Sequence, residues 1–160
     1  MLNHVLAILD LLDRPDASGE AVASHLRAFG DGVHVRVDRV TGEDGATDFV
    51  KVTVPGTRGK SAGGDAPTLG VIGRHGGSGA RPSRIGYVSD GDGAAATLAA
   101  AAKLASMHAL GDRLDGDVIL ATHVCPTAPT RPHHPVEFMS SPVGMDVMNQ
   151  HEVDPAMDAI

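Results

Sequence analysis

The sequence predicts an α/β fold with a mixed β-sheet of about five strands flanked by helices. The prediction rests on the spacing of apolar residues, which is helical in some segments and strand-like in others. These segments follow one another in the order α-α-β-β-β-β-α-β. The 160 residues suffice for one domain with a substantial core. That core must be built from Val, Ile, Leu, Met and Ala, because the chain has three Phe, one Tyr and no Trp.

Three helices are predicted. Apolar residues recur at helical spacing over residues 2–12 and stop before Pro15. Ser18 is the predicted N-cap of a second helix over residues 19–29. A third helix is predicted over residues 94–110, where the many alanines give a high intrinsic propensity.

Strand-like runs lie between these helices and after them. Two long loops rich in Gly and Pro separate the central runs, and the pattern weakens after Pro135, where residues 139–148 are predicted to be partly helical. The predicted strands cover residues 33–40, 49–54, 69–73, 85–88 and 117–121.

Charge and composition narrow the class of protein. The net charge of −7 and the lack of any run of Lys or Arg argue against nucleic acid as a partner. A single cysteine excludes an internal disulfide and fits a reducing compartment. The N-terminus has no basic region and is interrupted by Asp10 and Asp13, so no signal peptide is predicted. With no apolar run of about 18 residues either, no membrane partner is expected and a cytoplasmic location is predicted.

The segment THVCPTAPTRPHHP, residues 122–135, concentrates reactive side chains. It holds the one cysteine, three of the nine histidines and four of the ten prolines. It directly follows a predicted buried strand, and open α/β sheets keep their sites just past the carboxyl ends of strands. A functional site is therefore predicted in this segment.

Each reactive side chain of this segment has a functional and a structural interpretation. His123 and Cys125 lie two apart and would point to one side in extended backbone. They could share a metal, or Cys125 could be a nucleophile assisted by His123. A lone cysteine is more often a small buried apolar residue. Arg131 and His133 could bind a carboxylate, or simply belong to a solvated proline-rich loop.

The two glycine-rich loops also carry candidates. Gly59-Lys60-Ser61 resembles part of a P-loop, but Val54 stands where the first glycine is needed and no helix follows, so that interpretation is rejected. Residues 73–84, GRHGGSGARPSR, could bind an anion or form a tight connection. His75 favours a functional role, because it follows an apolar strand between glycines.

Asp90 and Asp92 precede the alanine-rich helix. The simpler interpretation is that one of them caps the helix. The functional interpretation is a carboxylate metal ligand held at the start of a helix. The two roles can be divided between the two aspartates.

Three segments resemble the N-terminal half of the family known as domain of unknown function 1177. They are HVLAILDLLDRPDASGEAVASHL, the stretch TDFVKVTVPGTRGKSAGGDAPTLGVIGRHGGSGARPSRIGYVSDGDGA, and ATHVCPTAPTRPHHPVEFMSSPVGMDVMN. The resemblance implies a longer architecture of which residues 1–160 form a single N-terminal α/β domain. It also implies that the chain is a fragment, a split subunit or a processed product, with a core that is incomplete if the second half is missing.

The order of elements also resembles the zinc aminopeptidase and deacylase superfamily, which has a three-layer core. DASGE, TLGVIGRHGG and SDGDGAAATLAAAAKL stand where that superfamily has its second-helix start, its His-x-Asp motif and its metal-bridging Asp. The resemblance implies metal-ligand roles for His75 and Asp92. Gly77 stands in place of the supporting Asp, and His123 and Cys125 stand in place of a Glu-Glu pair, so the superfamily's general base does not transfer.

The first functional hypothesis is a metal-dependent hydrolase of amide bonds in small molecules or short peptides. A divalent metal, with zinc as the first choice, would be held by His75, Asp92 and His123 and would activate a water. Asp90 is the candidate base, and Cys125 is the candidate nucleophile of a metal-free variant. The residues expected to bind the substrate carboxylate are Arg74, Arg131 and His133.

The second hypothesis belongs to another class. The chain is then a non-catalytic or incomplete domain that binds a small anionic ligand or a partner half. In either case it is expected to form a homo-oligomer or to pair with a missing C-terminal half.

Overall fold

A four-stranded mixed sheet with helices on both faces forms the centre of the molecule. The computed structural model describes residues 1–43, 45–78, 87–126, 128–135 and 138–160. The helices are α1 (Leu2–Leu12), α2 (Gly19–Arg27), α3 (Asp92–Ala109) and α4 (Met145–Glu152). The strands are β1 (His34–Gly42), β2 (Gly45–Val54), β3 (Leu69–Ile72), β4 (Gly77–Ser78), β5 (Tyr87–Ser89), β6 (Val118–Val124), β7 (Thr130–Arg131) and β8 (Phe138–Met139).

The strand order in the main sheet is β1-β2-β6-β3. Antiparallel pairing joins β1 to β2 and β2 to β6, whereas β3 runs parallel to β6. The predicted mixed α/β fold is thus confirmed, with four strands in the described part of this sheet rather than about five. The strand predicted over residues 85–88 is seen as β5, which pairs with β4 outside the main sheet; residues 85 and 86 lie outside the described residues.

The two faces of the sheet pack against different helices. Val50 and Val52 point into the core that α1, α2 and α3 cover. Their neighbours Phe49 and Lys51 point to the opposite face, because side chains alternate along a strand. There Phe49 stacks on His151 of α4 with ring centroids 4.5 Å apart. The result is the three-layer arrangement predicted, with α4 alone on the second face among the described helices.

Small side chains bring α3 close to the sheet. The predicted alanine-rich helix is confirmed, although it begins at Asp92 rather than at Ala94. Most of its alanines are buried, so the helix presents little side-chain thickness to the core. Where β3 ends, a Cβ on Gly73 would lie 2.0 Å from the carbonyl oxygen of Gly93, so this crossing requires glycine.

The first two helices form as predicted, with differences at their ends. In α1 the fully buried residues are Ile8 and Leu12, whereas Leu2 in the first turn is 68% exposed.

The Ser18 side chain accepts a hydrogen bond from the backbone N–H of Ala21 and so caps α2. This helix ends at Arg27, two residues earlier than predicted, and a turn with Gly30 at φ +123° follows it.

A protein carboxylate organises the loop that contains the Gly-Lys-Ser sequence. The Asp117 carboxylate accepts hydrogen bonds from the backbone N–H of Gly56, the backbone N–H of Ser61 and the Ser61 hydroxyl, each at 2.8 Å. A Cβ on Gly59 would lie 1.8 Å from this carboxylate. The loop continues as the short 3₁₀ turn Lys60–Ala62. The rejection of a P-loop is confirmed, because the donors of this loop already face an internal anion.

The C-terminal segment, residues 156–160, pairs with the outer edge of β3. The backbone N–H of Gly70 donates to the carbonyl of Ala159 at 2.7 Å. The backbone N–H of Asp158 donates to the carbonyl of Thr68 at 2.9 Å, and the Asp158 carboxylate accepts from the backbone N–H of Thr68. A parallel bridge between Leu69 and Ala159 completes this contact.

No helix in the described part of the chain is both long enough and apolar enough to cross a membrane.

Candidate functional site

Two histidines predicted to be functional meet where the parallel strands β3 and β6 end. His75 follows β3 by three residues, and His123 is the penultimate residue of β6. The His123 Nε2 atom lies 2.8 Å from the backbone carbonyl oxygen of His75. Their ring centroids are 6.5 Å apart. The carboxyl ends of adjacent parallel strands reach the same edge of a sheet, which is why residues 48 positions apart are neighbours here.

A buried hydrogen-bond network joins this edge to α4. The His123 Nδ1 atom lies 2.7 Å from Oε1 of Glu152, and Oε2 of Glu152 accepts from Nε of Arg74 at 2.9 Å. Arg74 also donates from Nη2 to the side-chain oxygen of Asn149 at 2.6 Å, and its Nη1 contacts the sulfur of Met145. His123 and Glu152 are no more than 1% exposed. The three elements β3, β6 and α4 are therefore held together by side chains of opposite charge.

The partners of His123 fix how many protons the network holds. A backbone carbonyl only accepts, so Nε2 of His123 must carry a proton for His75. A carboxylate also only accepts, so the short contact with Glu152 needs one proton between Nδ1 and Oε1. Whichever atom carries it, the His123–Glu152 pair is neutral as a whole. With Arg74 added, the network carries one positive charge.

His75 is a neutral imidazole at physiological pH. It is 4% exposed, and burial, with the electrostatic effect of the neighbouring His123 in second place, lowers its pKa from the ordinary 6.5 to about 4. Its Nδ1 atom lies 3.5 Å from the backbone N–H of Cys125, at the long end of the hydrogen-bond range. A neutral imidazole can donate one hydrogen bond and accept another, but it adds no charge to the site.

A pocket of about 330 Å³ opens beside this network. Its polar wall contains Arg74 and His123, and its apolar wall is made by Met139, Met145 and Met148. Asp90 also lines it. This volume lies at the small end of the range that ligand pockets cover, and the mixture of apolar walls with a few polar groups is typical of them.

Asp90 holds an unusual backbone conformation at the rim of the pocket. Its φ of +37° is the one positive value among the described residues other than glycine. Aspartate tolerates this region better than most residues, and such conformations concentrate at functional sites. Its side chain is exposed, and its backbone carbonyl accepts from the N–H of Gly76 at 3.2 Å. Asp92 is also exposed, begins α3 and is not among the residues that line the pocket.

The predicted metal ligands are not arranged as a metal site. Within the described residues, no group of three or more His, Cys, Asp or Glu side chains is placed to hold a metal ion. Both ring nitrogens of His123 face oxygen acceptors, so neither offers a lone pair to zinc. Asp92 lies outside the pocket. The residues present therefore do not fit a zinc ion in this arrangement, and the metal-ligand roles of His75, Asp92 and His123 stay predictions.

Cys125 and His133 are not among the residues that line the pocket. Cys125 is 2% exposed, and its thiol lies 3.7 Å from the carbonyl oxygen of Ala46 on β2, which agrees with the structural interpretation of a small buried residue. Arg131 lies in β7, and its side chain is outside the described part of the structure. His133 is exposed in the loop that follows. The structure therefore brings Arg74, His75, Asp90 and His123 to one pocket. Cys125 reaches this group only through its backbone N–H, and Asp92 and His133 are not part of the pocket lining.

The residues that sequence reasoning missed come from α4. Glu152, Asn149 and Met145 contact Arg74, and none of them was singled out. A signal was present, because Asn149 and Glu152 are three apart and Met145 and Glu152 are seven apart, which places them on one face of a helix. That signal is short and mixes polar with apolar residues, so it does not stand out against a loop.

Several solved structures are similar to this chain in part. They are the bottromycin maturation enzyme BotP (TM-score 0.49, 20% identity, 77% of this chain and 29% of that chain), a mutant of tomato leucine aminopeptidase (0.46, 14%, 77% and 27%) and the Fimbriiglobus ruber glutaminyl cyclase (0.44, 16%, 76% and 43%). This chain spans less than half the length of each of them. No curated protein matches the sequence.

A family model described as "Protein of unknown function (DUF1177)" matches residues 38–160, which include the whole pocket network and all of the sheet except the first four residues of β1. This match confirms the first resemblance, and the chain belongs to that family.

Proposed function

We propose that this domain binds a small carboxylate in the pocket between the ends of β3 and β6 and helix α4. The observation that carries the proposal is the anchored guanidinium of Arg74, which lines the pocket while Glu152 and Asn149 hold it in place. A guanidinium that is already ordered loses little entropy when it binds a carboxylate, and its planar set of donors matches the two carboxylate oxygens.

The charge balance of the buried network favours an anion. The His123–Glu152 pair is neutral because it shares one proton, so the charge of Arg74 is not cancelled within the network. Asp90 is the negative group on the pocket lining, but its side chain is exposed to water. Water and salt screen an exposed charge far more than a buried one.

The methionines suggest what the rest of the ligand looks like. Met139, Met145 and Met148 offer flexible, polarisable side chains that adapt to small apolar groups. A pocket of about 330 Å³ has room for a carboxylate with a short apolar body. A ligand of this class would place its carboxylate against Arg74 and its body against the methionines.

Metal-dependent amide hydrolysis has less support in this geometry. It would need a free ring nitrogen on His123, and both are engaged. It would also need the carboxylate of Asp92 at the pocket, which that residue does not line. Binding without a metal requires no rearrangement of the network, and for this reason we propose it.

Carbon-13 NMR of the methionine methyl groups tests the proposal directly. Butyrate is the probe, and butyramide is its neutral analogue of the same shape. We expect butyrate to shift the methyl signals of Met145 and Met148 saturably and to leave that of Met1 unchanged, since Met1 lies outside the pocket. Butyramide should bind about tenfold more weakly, as loss of a charge-assisted hydrogen bond predicts.

Two substitutions separate the binding of an anion from general damage. Arg74→Gln should abolish the response to butyrate, but it also disturbs Glu152. Asp90→Asn should instead strengthen butyrate binding, by about twofold at low salt, because it removes a like charge and asparagine accepts the same backbone conformation. Asp92→Asn is the matched control and should change nothing. Equal responses to butyrate and butyramide, or no effect of Asp90→Asn, would contradict the proposal.

A further inference from the structure

A second cavity lies at the other end of α3, away from the pocket described above. Its volume is about 320 Å³. The loop that joins α2 to β1, residues 29–33, forms one wall, and the last turns of α3 form the other. Its apolar lining includes Phe29 and the buried side chains of Val33 and Ala105. The cavity thus has space for a small molecule and is separate from the network around Arg74.

A buried imidazole lines this cavity. His108 is 8% exposed, and its imidazole ring forms no hydrogen bond with any residue that the structure describes. Gly32 packs against its ring so closely that a Cβ there would lie 2.2 Å from Nδ1. Burial, with the charge of Arg113 in second place, lowers the pKa of His108. A neutral imidazole offers one donor and one acceptor, and here both are left for a ligand or water.

Arg113 lines the same cavity and differs from the other arginines whose side chains the structure describes. Seven arginines have described side chains, and the other six each form an ion pair with Asp or Glu. Arg113 forms none within the described structure, although the protein carries a net charge of −7. Asp31 also lines the cavity and likewise forms no ion pair with a described residue. One cation and one anion therefore stand at a single cavity without pairing.

We propose that this second cavity binds a small zwitterion of the α-amino acid class, with the carboxylate on Arg113, the ammonium on Asp31 and His108 as a hydrogen-bond partner. A simple anion would meet Asp31, and a simple cation would meet Arg113. A ligand that carries both charges satisfies both side chains at once. The apolar part of the lining and the volume of about 320 Å³ suit a ligand with a short apolar side chain.

Amide NMR titrations test this site with L-alanine as the probe. Acetate and methylammonium serve as its two charged halves. We expect L-alanine to shift the amide signals of Gly32 and Val33 saturably, with half-saturation on the order of 1 mM for so small a ligand. Acetate alone and methylammonium alone should each reach half-saturation only at a concentration at least about tenfold higher than that of L-alanine.

Three variants decide whether the named side chains are responsible. Arg113→Gln and Asp31→Asn should each weaken L-alanine binding about tenfold or more. Arg36→Gln, which removes another exposed arginine on β1, should leave binding unchanged. Arg74→Gln should also leave it unchanged, which separates this site from the carboxylate pocket. The proposal fails if L-alanine gives no saturable shift, if acetate binds equally well, or if Arg113→Gln binds like the wild type.

Discussion

Glu152 is the residue on which the candidate site depends, because one buried carboxylate serves both Arg74 and His123. Glu152→Ala leaves both partners without an acceptor, and we expect it to lower the free energy of unfolding by about 3 kcal/mol or more. Glu152→Gln should lower the free energy of unfolding by clearly less than Glu152→Ala does. Its amide can donate to Nδ1 of a neutral His123 while its oxygen still accepts from Arg74. Urea unfolding of the two variants measures the difference.

The matched control for this comparison is Glu20, an exposed glutamate paired with Arg27. Glu20→Ala should change stability by about 1 kcal/mol at most, since exposed ion pairs contribute little. Equal losses in Glu152→Ala and Glu152→Gln would show that the negative charge, rather than the hydrogen-bond geometry, stabilises the network.

The buried His75 gives the fold a defined pH dependence. Its pKa is about 4 in the folded protein and 6.5 at its ordinary value. Between these values the unfolded chain binds a proton that the folded chain does not, so stability falls as pH drops from 6.5 to 4. The slope from this one group is at most about 1.4 kcal/mol per pH unit. Urea unfolding at pH 4.5, 5.5 and 6.5 measures it.

Substitution isolates this contribution from that of other groups. In His75→Gln the slope between pH 4 and 6.5 should decrease relative to the wild type, whereas the exposed His34→Gln should keep it. If the two variants and the wild type share one slope, His75 is not the group responsible.

The positions of two site residues were predictable from the sequence because these residues directly follow predicted strands. His75 and His123 stand just past apolar runs, and the rule that sheet sites gather at carboxyl ends of strands placed them correctly. Their roles were less accessible, because the two ring nitrogens of His123 are claimed by a backbone carbonyl and by Glu152. Neither partner is near His123 in sequence, and no periodic pattern points to either.

Among the elements, the loop from Gly56 to Ala62 depends most on one side chain. The three hydrogen bonds on Asp117 outweigh the effect of burial, which alone would raise its pKa, and they hold that pKa below the ordinary value. Asp117→Asn turns one acceptor into a donor that faces an N–H or hydroxyl. We expect it to lower the free energy of unfolding by about 2 kcal/mol. Hydrogen exchange should also become faster at the amides of Gly56 and Ser61.

The neighbouring Asp115 provides the comparison for this loop. Its side chain is 72% exposed and pairs with Arg58. Asp115→Asn should leave both stability and hydrogen exchange nearly unchanged. Fast exchange of Gly56 in both variants would contradict a specific role for Asp117.

Elements with a long, clean periodicity were predicted well, and short ones were not. Residues 2–12 and 94–110 each repeat an apolar pattern over three or more turns, and both helices formed. β4, β7 and β8 have two residues each, which is too short for any alternation to show. The α4 pattern was weak because its inner face carries Asn149 and Glu152, polar residues that serve the site rather than an apolar core.

For the molecule as a whole, the arrangement of the possible metal-ligand side chains predicts that zinc does not change the thermal stability. A metal that bound the folded state would raise the melting temperature as its concentration rose above the dissociation constant. We expect equimolar zinc, or removal of metals with a chelator, to shift the melting temperature by less than about 1 °C. Differential scanning calorimetry of the full chain measures this.

A stabilisation by zinc would restore the metal hypothesis under a clear condition. It would have to be lost in His75→Gln and in Asp92→Asn but kept in His133→Gln, since the first two are the ligands implied by the resemblance and the third is not. A rise that all three variants share would instead indicate adventitious binding at exposed histidines.

The segment 156–160 also determines how the sheet can grow. The outer edge of β1 carries Arg36, Asp38 and Arg39, and charged residues of this kind discourage the addition of a further strand. The outer edge of β3 has a different protection, because Asp158 and Ala159 occupy its backbone groups. Displacement of these few residues would uncover donors and acceptors already set in parallel register. We therefore expect a strand from a second chain, if one is added, to pair at this edge rather than at the charged edge of β1.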